Sequence, residues 1–155
     1  MDAGADLSVQ DSDGRTPLMS SLLEGSVLEK NIKCLIHHYA GTPALNAQDM
    51  GGNNLLHLAA SIPESTFTID IIKVEGFSMQ THIHVSLQLL FNAGVDATHE
   101  NHEGFNPRDT ANYRKNWAVK EILNDYLSGN TGHIRISFID CFAWSSFHVP
   151  FILNN

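Results

Sequence analysis

The chain has 155 residues and a mass of 17.1 kDa, room for one ordinary domain. Its 17 Asp plus Glu against 9 Lys plus Arg give a net charge of −8 with histidine neutral. That balance argues against a polyanion as main partner, because nucleic-acid binding relies on Lys and Arg neutralising phosphates. A hydrophobic content of 43% is enough to supply a core. Cys34 and Cys141 are too few for a disulfide scaffold or a four-cysteine zinc site. Neither a secretory signal nor a run of about 18 apolar residues is evident. The expectation is a soluble, acidic, intracellular protein with reduced thiols, in the cytoplasm or nucleus.

In chain order, the first signal is a turn leading into a helix, Gln10-Asp11-Ser12-Asp13-Gly14-Arg15-Thr16-Pro17-Leu18. Gly14 takes a positive φ at little cost, Thr16 is a capping residue, and Pro17 at the first helical position loses no hydrogen bond. A second helix is expected over 31–39, where Ile32, Leu35, Ile36 and Tyr39 fall on one face. The same order returns at Gly52, with Asn54 as cap and Leu55 in place of proline, and a helix over 85–91 ends at Gly94. It returns again at Gly104, with Asn106 capping a helix that opens on Pro107. A final amphipathic helix is expected over 117–127, closed by Gly129. Small residues follow each start (Ser20 and Ser21, Ala59 and Ala60, Thr110 and Ala111) and let a second helix approach closely. The glycine intervals are 38 and 52 residues, so the chain reads as a repeat rather than one compact domain.

The motifs themselves have a family likeness. Gly14-Arg15-Thr16-Pro17-Leu18 matches the Gly-x-Thr-Pro-Leu start of ankyrin repeats, and Leu55-Leu56-His57-Leu58-Ala59-Ala60 is similar to their Pro-Leu-His-Leu-Ala-Ala core. Gly4-Ala5-Asp6 and Gly94-Val95-Asp96 match their Gly-Ala-Asp loop. Over residues 3–127 the chain resembles an ankyrin-repeat protein. The resemblance implies an all-α solenoid of helix-turn-helix units joined by β-turn or hairpin loops. Against the family's period of ~33 residues, the first interval carries a surplus around 26–30 and the second a larger one within 62–86. Met19 and Asp109 replace the repeat histidine in the first and third units. Arg108 stands where a buried Leu is usual, which implies a terminal repeat with a wetter outer face. His57 stands at the repeat histidine itself, whose role in the family is hydrogen bonding to neighbouring loop backbone. The chain opens in the closing loop of an earlier repeat, as a fragment or shortened form of a longer array would. Its long intervals resemble irregular arrays such as the inhibitor-of-NF-κB group.

Ankyrin arrays bind proteins through loop tips and the concave face of the first helices. Carried across, those positions are Ser12, Asp13, Arg15, Leu23 and Glu24 in the first unit. They are Met50, Gly51, Asn53, Ser61 and Ile62 in the second, and His102, Glu103, Phe105, Tyr113 and Arg114 in the third. Arg15, Phe105, Tyr113 and Arg114 are the expected anchors, since aromatic and Arg side chains carry most interface energy.

Other chemistry has less behind it. His82-x-His84 and His99-x-x-His102 supply ligand types without a closed four-ligand set. Asp140, Cys141 and His148 have the residue types of a catalytic triad without its motif, and Gly129 to His133 lacks the Gly-Lys-Ser/Thr of a phosphate loop. No catalytic residue, metal or cofactor is assigned. Residues 130–155 do not resemble the repeat: they hold 5 of the chain's 13 aromatics, and their only charges are Arg135 and Asp140. This tail reads as a fold-back over the solenoid end, a partner or membrane-surface anchor, or a replacement end; the abrupt stop of the pattern favours the last. All the net negative charge therefore belongs to residues 1–129, Asp2 included, and favours a basic protein partner. The expected function is a non-catalytic binding module or adaptor in signalling. The alternative is an ankyrin segment that positions another domain in a larger protein and does little in isolation.

Overall fold

The computed structural model describes residues 6–23, 29–63 and 81–129. Among them are six α-helices, one 3₁₀ turn at Pro43–Asn46 and no strand. The helices are α1 (Pro17–Leu23), α2 (Glu29–Tyr39), α3 (Leu55–Ser61), α4 (Thr81–Ala93), α5 (Pro107–Tyr113) and α6 (Trp117–Leu127). They pair as α1 with α2, α3 with α4, and α5 with α6.

Each short first helix starts where a capping side chain meets an orphan backbone donor. Thr16 Oγ1 accepts from Met19 N at 3.4 Å, and Asn106 Oδ1 from Asp109 N at 2.9 Å. Asn54 Oδ1 accepts from Leu56 N and His57 N at 3.1 and 3.2 Å. All three first helices are seven residues long. Two turns of helix are unstable alone, so stacking must hold them. The first helices pack in one layer, α1 on α3 and α3 on α5, and the second helices in another, α2 on α4 and α4 on α6. The middle helix is enclosed: Leu55 through Ala60 are all buried. Burial of a Leu or Ile is worth about 1.5–3 kcal/mol. The core therefore runs along the stack, from Leu18, Met19 and Leu22 through Leu56, Leu87 and Leu90 to Val119, Ile122 and Leu123.

The chain has the ankyrin-repeat architecture expected from its sequence, with local differences. α2 begins at Glu29 and α4 at Thr81, ahead of the expected 31 and 85. Ile36 and Tyr39 are buried and Leu35 is partly buried against the core as the periodicity requires, while the side chain of Ile32 lies outside those described. Met19, at the histidine position, is fully buried as an apolar replacement. The expected surplus around 26–30 and insertion within 62–86 fall largely outside the described residues, as do Glu24 and the tail 130–155. Arg108 does give the third unit a wet outer face. Its side chain is 46% exposed and 3.9 Å from Asp109, where Leu18 and Leu56 in the earlier units are buried.

Candidate functional site

The tips before each first helix repeat one hydrogen-bond pattern. Asp11 N donates to Arg15 O, Asp49 N to Asn53 O, and Asn101 N to Phe105 O, at 2.9–3.0 Å. An Asx side chain ties each tip from within. Asp11 Oδ1 accepts from Asp13 N and Arg15 N, and Asp49 Oδ1 from Gly51 N and Asn53 N. Asn101 Oδ1 accepts from Glu103 N and Phe105 N. The donors at Arg15 and Asp13 stabilise the Asp11 carboxylate, and the Arg15 N–H first among them holds its pKa below the ordinary value.

The tips also stack on each other in register. Met50 N donates to Asp13 O at 2.9 Å, and His102 N donates to Gly51 O at 2.9 Å. Gly52 shows why glycine is required at the joint. Its φ is +75°, and a Cβ there would lie 2.9 Å from His102 N and 2.7 Å from His102 Cδ2. Side chains reinforce the joint: Asn101 Nδ2 donates to Asn53 Oδ1 at 2.8 Å, and His99 Nε2 lies 3.1 Å from Gly52 O.

His57 closes the second joint in the way the family resemblance implies. With its proton on Nε2 it donates to Phe105 O at 2.8 Å, while Nδ1 accepts from Asn54 N in a capping box. Nδ1 also lies 2.7 Å from Asn54 Oδ1, so a second ring proton would find an acceptor. The residue is only 1% exposed, however, and burial outweighs the hydrogen bond to Phe105 O, pulling its pKa below the ordinary 6.5.

The sequence-derived binding residues separate into three groups on this frame. Ser12, Asp13, Met50, Gly51, His102 and Glu103 form the outward row of tips, with Met50 72% exposed. Arg15 joins them, its guanidinium 3.0 Å from Asp13. Phe105, Tyr113 and Arg114 come together at α5: the rings are 5.8 Å apart and Arg114 lies 6.0 Å over Tyr113. The remainder are occupied by the scaffold. Asn53 is held between Asp49 and Asn101, Ser61 Oγ donates to Leu58 O, and Leu23 packs partly against the core. Ile62 requires a correction, because it is buried and not available to a partner. It ends α3 in extended backbone, turns inward, and its carbonyl accepts from Asn116 Nδ2 at 2.8 Å.

Sequence reasoning missed three residues. Asn116 caps α6 through Val119 N, and its amide crosses 54 positions to Ile62. The Asn-x-x pattern before an amphipathic run signals the cap, and nothing local signals the crossing. Trp117 is 52% exposed, with Lys120 Nζ 5.0 Å from its ring. Helical periodicity places both on α6 without telling which neighbours leave them uncovered.

Small-molecule and metal chemistry have little to work with among the described residues. A cleft of about 210 Å³, lined by Asn46, Gln48, Asn54, Asp96 and His99, falls short of the ~300–1,000 Å³ usual for ligand sites. No three His, Cys, Asp or Glu side chains there are grouped as metal ligands, and no helix is long and apolar enough to cross a membrane. His82 and His84, Asp140, Cys141 and His148 lie outside the described side chains.

Stacked tips, paired helices in two layers and a histidine bridging adjacent units define an ankyrin-repeat fold. Solved structures agree. An ankyrin repeat domain from Acinetobacter baumannii is similar over 77% of this chain and 52% of its own, with 24% identity and a TM-score of 0.54. The ankyrin repeat protein EF0377 is similar over 79% of this chain and 52% of its own, with 21% identity and a TM-score of 0.57. The chain thus spans about half the length of these structures. No family model and no curated protein matches the sequence.

Proposed function

We propose that the chain is a non-catalytic protein-interaction module, an adaptor of the cytoplasm or nucleus, whose row of tips grips a basic partner. The observation that carries this reading is the register of the tips. A single backbone hydrogen bond joins each to the next, so their outward side chains stand on a fixed lattice. A rigid platform avoids much of the ordering cost of binding. Charge supplies the sign of the partner: Asp6, Asp11, Asp13, Asp49, Asp96, Glu100 and Glu103 lie in the tips and flanking loops, opposed there by Arg15. Such a stripe steers a basic surface and repels an acidic one.

A pull-down from cell extract tests the assignment. The intact chain is compared with a variant carrying Asp13→Asn, Met50→Ala and Glu103→Gln, all three exposed on the tips. Loss of the captured partner by about tenfold or more is expected, the size that truncating one or two anchor residues produces. Equal recovery by both chains rejects the tip row as the binding surface.

A further inference from the structure

The charge of the chain is not spread evenly, and one end of the stack has the opposite sign from the tips. The turn between α5 and α6 carries Arg114 and Lys115, and Lys120 follows one turn into α6. No carboxylate among the described residues lies within 4.0 Å of these three cations. In a chain of net charge −8 that is an unspent positive cluster.

Two of the cations are held over exposed aromatic rings. Arg114 sits 6.0 Å from the centroid of Tyr113, which is 69% exposed, and Lys120 sits 5.0 Å from that of Trp117. Lys120 Nζ also donates to Asn112 Oδ1 at 2.7 Å, which ties the end of α5 to the start of α6. A cation resting on a ring keeps its remaining N–H groups free for an acceptor, and the ring offers apolar area beside it. Lys115 holds a left-handed backbone, φ 59°, a conformation that favours glycine. The turn thus places a positive charge at a position where a small neutral residue is easier to accommodate.

From this geometry we infer that the α5–α6 turn is a second docking surface, for an acidic protein segment whose carboxylates alternate with apolar side chains. The carboxylates meet Arg114, Lys115 and Lys120, and the apolar groups lie against Tyr113 and Trp117. A nucleic acid is disfavoured because three cations are few and the tip row repels a long polyanion. This inference rests on the reading of the chain as a binding module and adds a partner of opposite charge to the one at the tips. Together the two surfaces would let one chain bridge a basic and an acidic protein.

The test uses the full chain with Trp144→Phe, leaving Trp117 as the reporting tryptophan. It is titrated with a labelled synthetic peptide of alternating Glu and Leu, read by Trp117 emission and by anisotropy. Saturable binding that weakens with salt is expected. Lys115→Gly should weaken it several-fold without lowering the unfolding midpoint, and adding Arg114→Gln and Lys120→Gln should bring the loss to about tenfold or more. The tip variant Asp13→Asn/Met50→Ala/Glu103→Gln should bind the peptide at least as tightly as the parent does. The proposal is overturned by equal affinity for a Lys-for-Glu peptide, or by parental affinity in the triple variant. Preference for an oligo-dT strand or for phosphatidylserine vesicles over the peptide would also overturn it, as would self-association through this turn without peptide binding. If the peptide fails while the tip-row pull-down succeeds, this surface falls and the binding-module reading stands.

Discussion

At the scale of single residues, His57 makes stability depend on pH. Its ring is buried between Asn54 and the Phe105 carbonyl, and burial, the largest influence, lowers its pKa below 6.5. The Phe105 carbonyl and Asp49 pull the other way, and His99 adds to the lowering. In the unfolded chain the same imidazole titrates at its ordinary value. Between the two pKa values the unfolded state therefore binds more protons, and stability falls as pH drops from about 6.5 toward the lowered folded value. One histidine contributes at most about 1.4 kcal/mol per pH unit to that slope. Urea unfolding followed by circular dichroism should show the midpoint falling from pH 7 to pH 5. In His57→Gln the starting stability is lower, but the fall across this window is smaller. An unchanged slope in the variant would mean that other groups carry the acid sensitivity.

At the scale of elements, the tip-to-tip joint decides what a glycine is worth. Gly52 and Gly104 have nearly the same φ, +75° and +78°, so an added methyl costs both the left-handed strain of about 1–2 kcal/mol. Only Gly52 has a neighbour in the way. His102 N would lie 2.9 Å from the new Cβ and cannot retreat without lengthening its bond to Gly51 O. A Cβ at Gly104 meets nothing within 4 Å. Gly52→Ala should therefore destabilise clearly more than Gly104→Ala in matched urea titrations, and equal losses would show that the joint yields freely. The sequence carried much of this level: Gly14, Gly52 and Gly104 with Thr16, Asn54 and Asn106 mark every first helix, because turns and caps depend on near neighbours. It misread Ile62 as surface because exposure there is set by where α3 stops and by Asn116, far along the chain. It passed over Trp117 and Lys120 for the same reason. Helical period places residues on a helix, but only the stack determines which of them remain uncovered.

At the scale of the whole molecule, the units share stability through their interfaces, as in any solenoid where each repeat touches only its neighbours. Asn116 is the sharpest example. Its Oδ1 caps α6 at Val119 N, and its Nδ2 reaches the Ile62 carbonyl at the end of α3, with the side chain 2% exposed. Removing the cap alone costs about 1 kcal/mol. Leaving the buried Ile62 carbonyl without its donor adds about 1–3 kcal/mol. Both losses fall on the third unit and its joint to the second, while the α1 to α3 packing is untouched. In the parent chain with Trp144→Phe, Trp117 emission and far-ultraviolet circular dichroism should unfold together in urea, because one core runs the length of the stack. In Asn116→Ala the emission transition should move to lower urea ahead of the circular dichroism, since the last unit now opens first. Coincident transitions in the variant would show instead that the described units unfold as a single block, with coupling between them stronger than the lost hydrogen bonds.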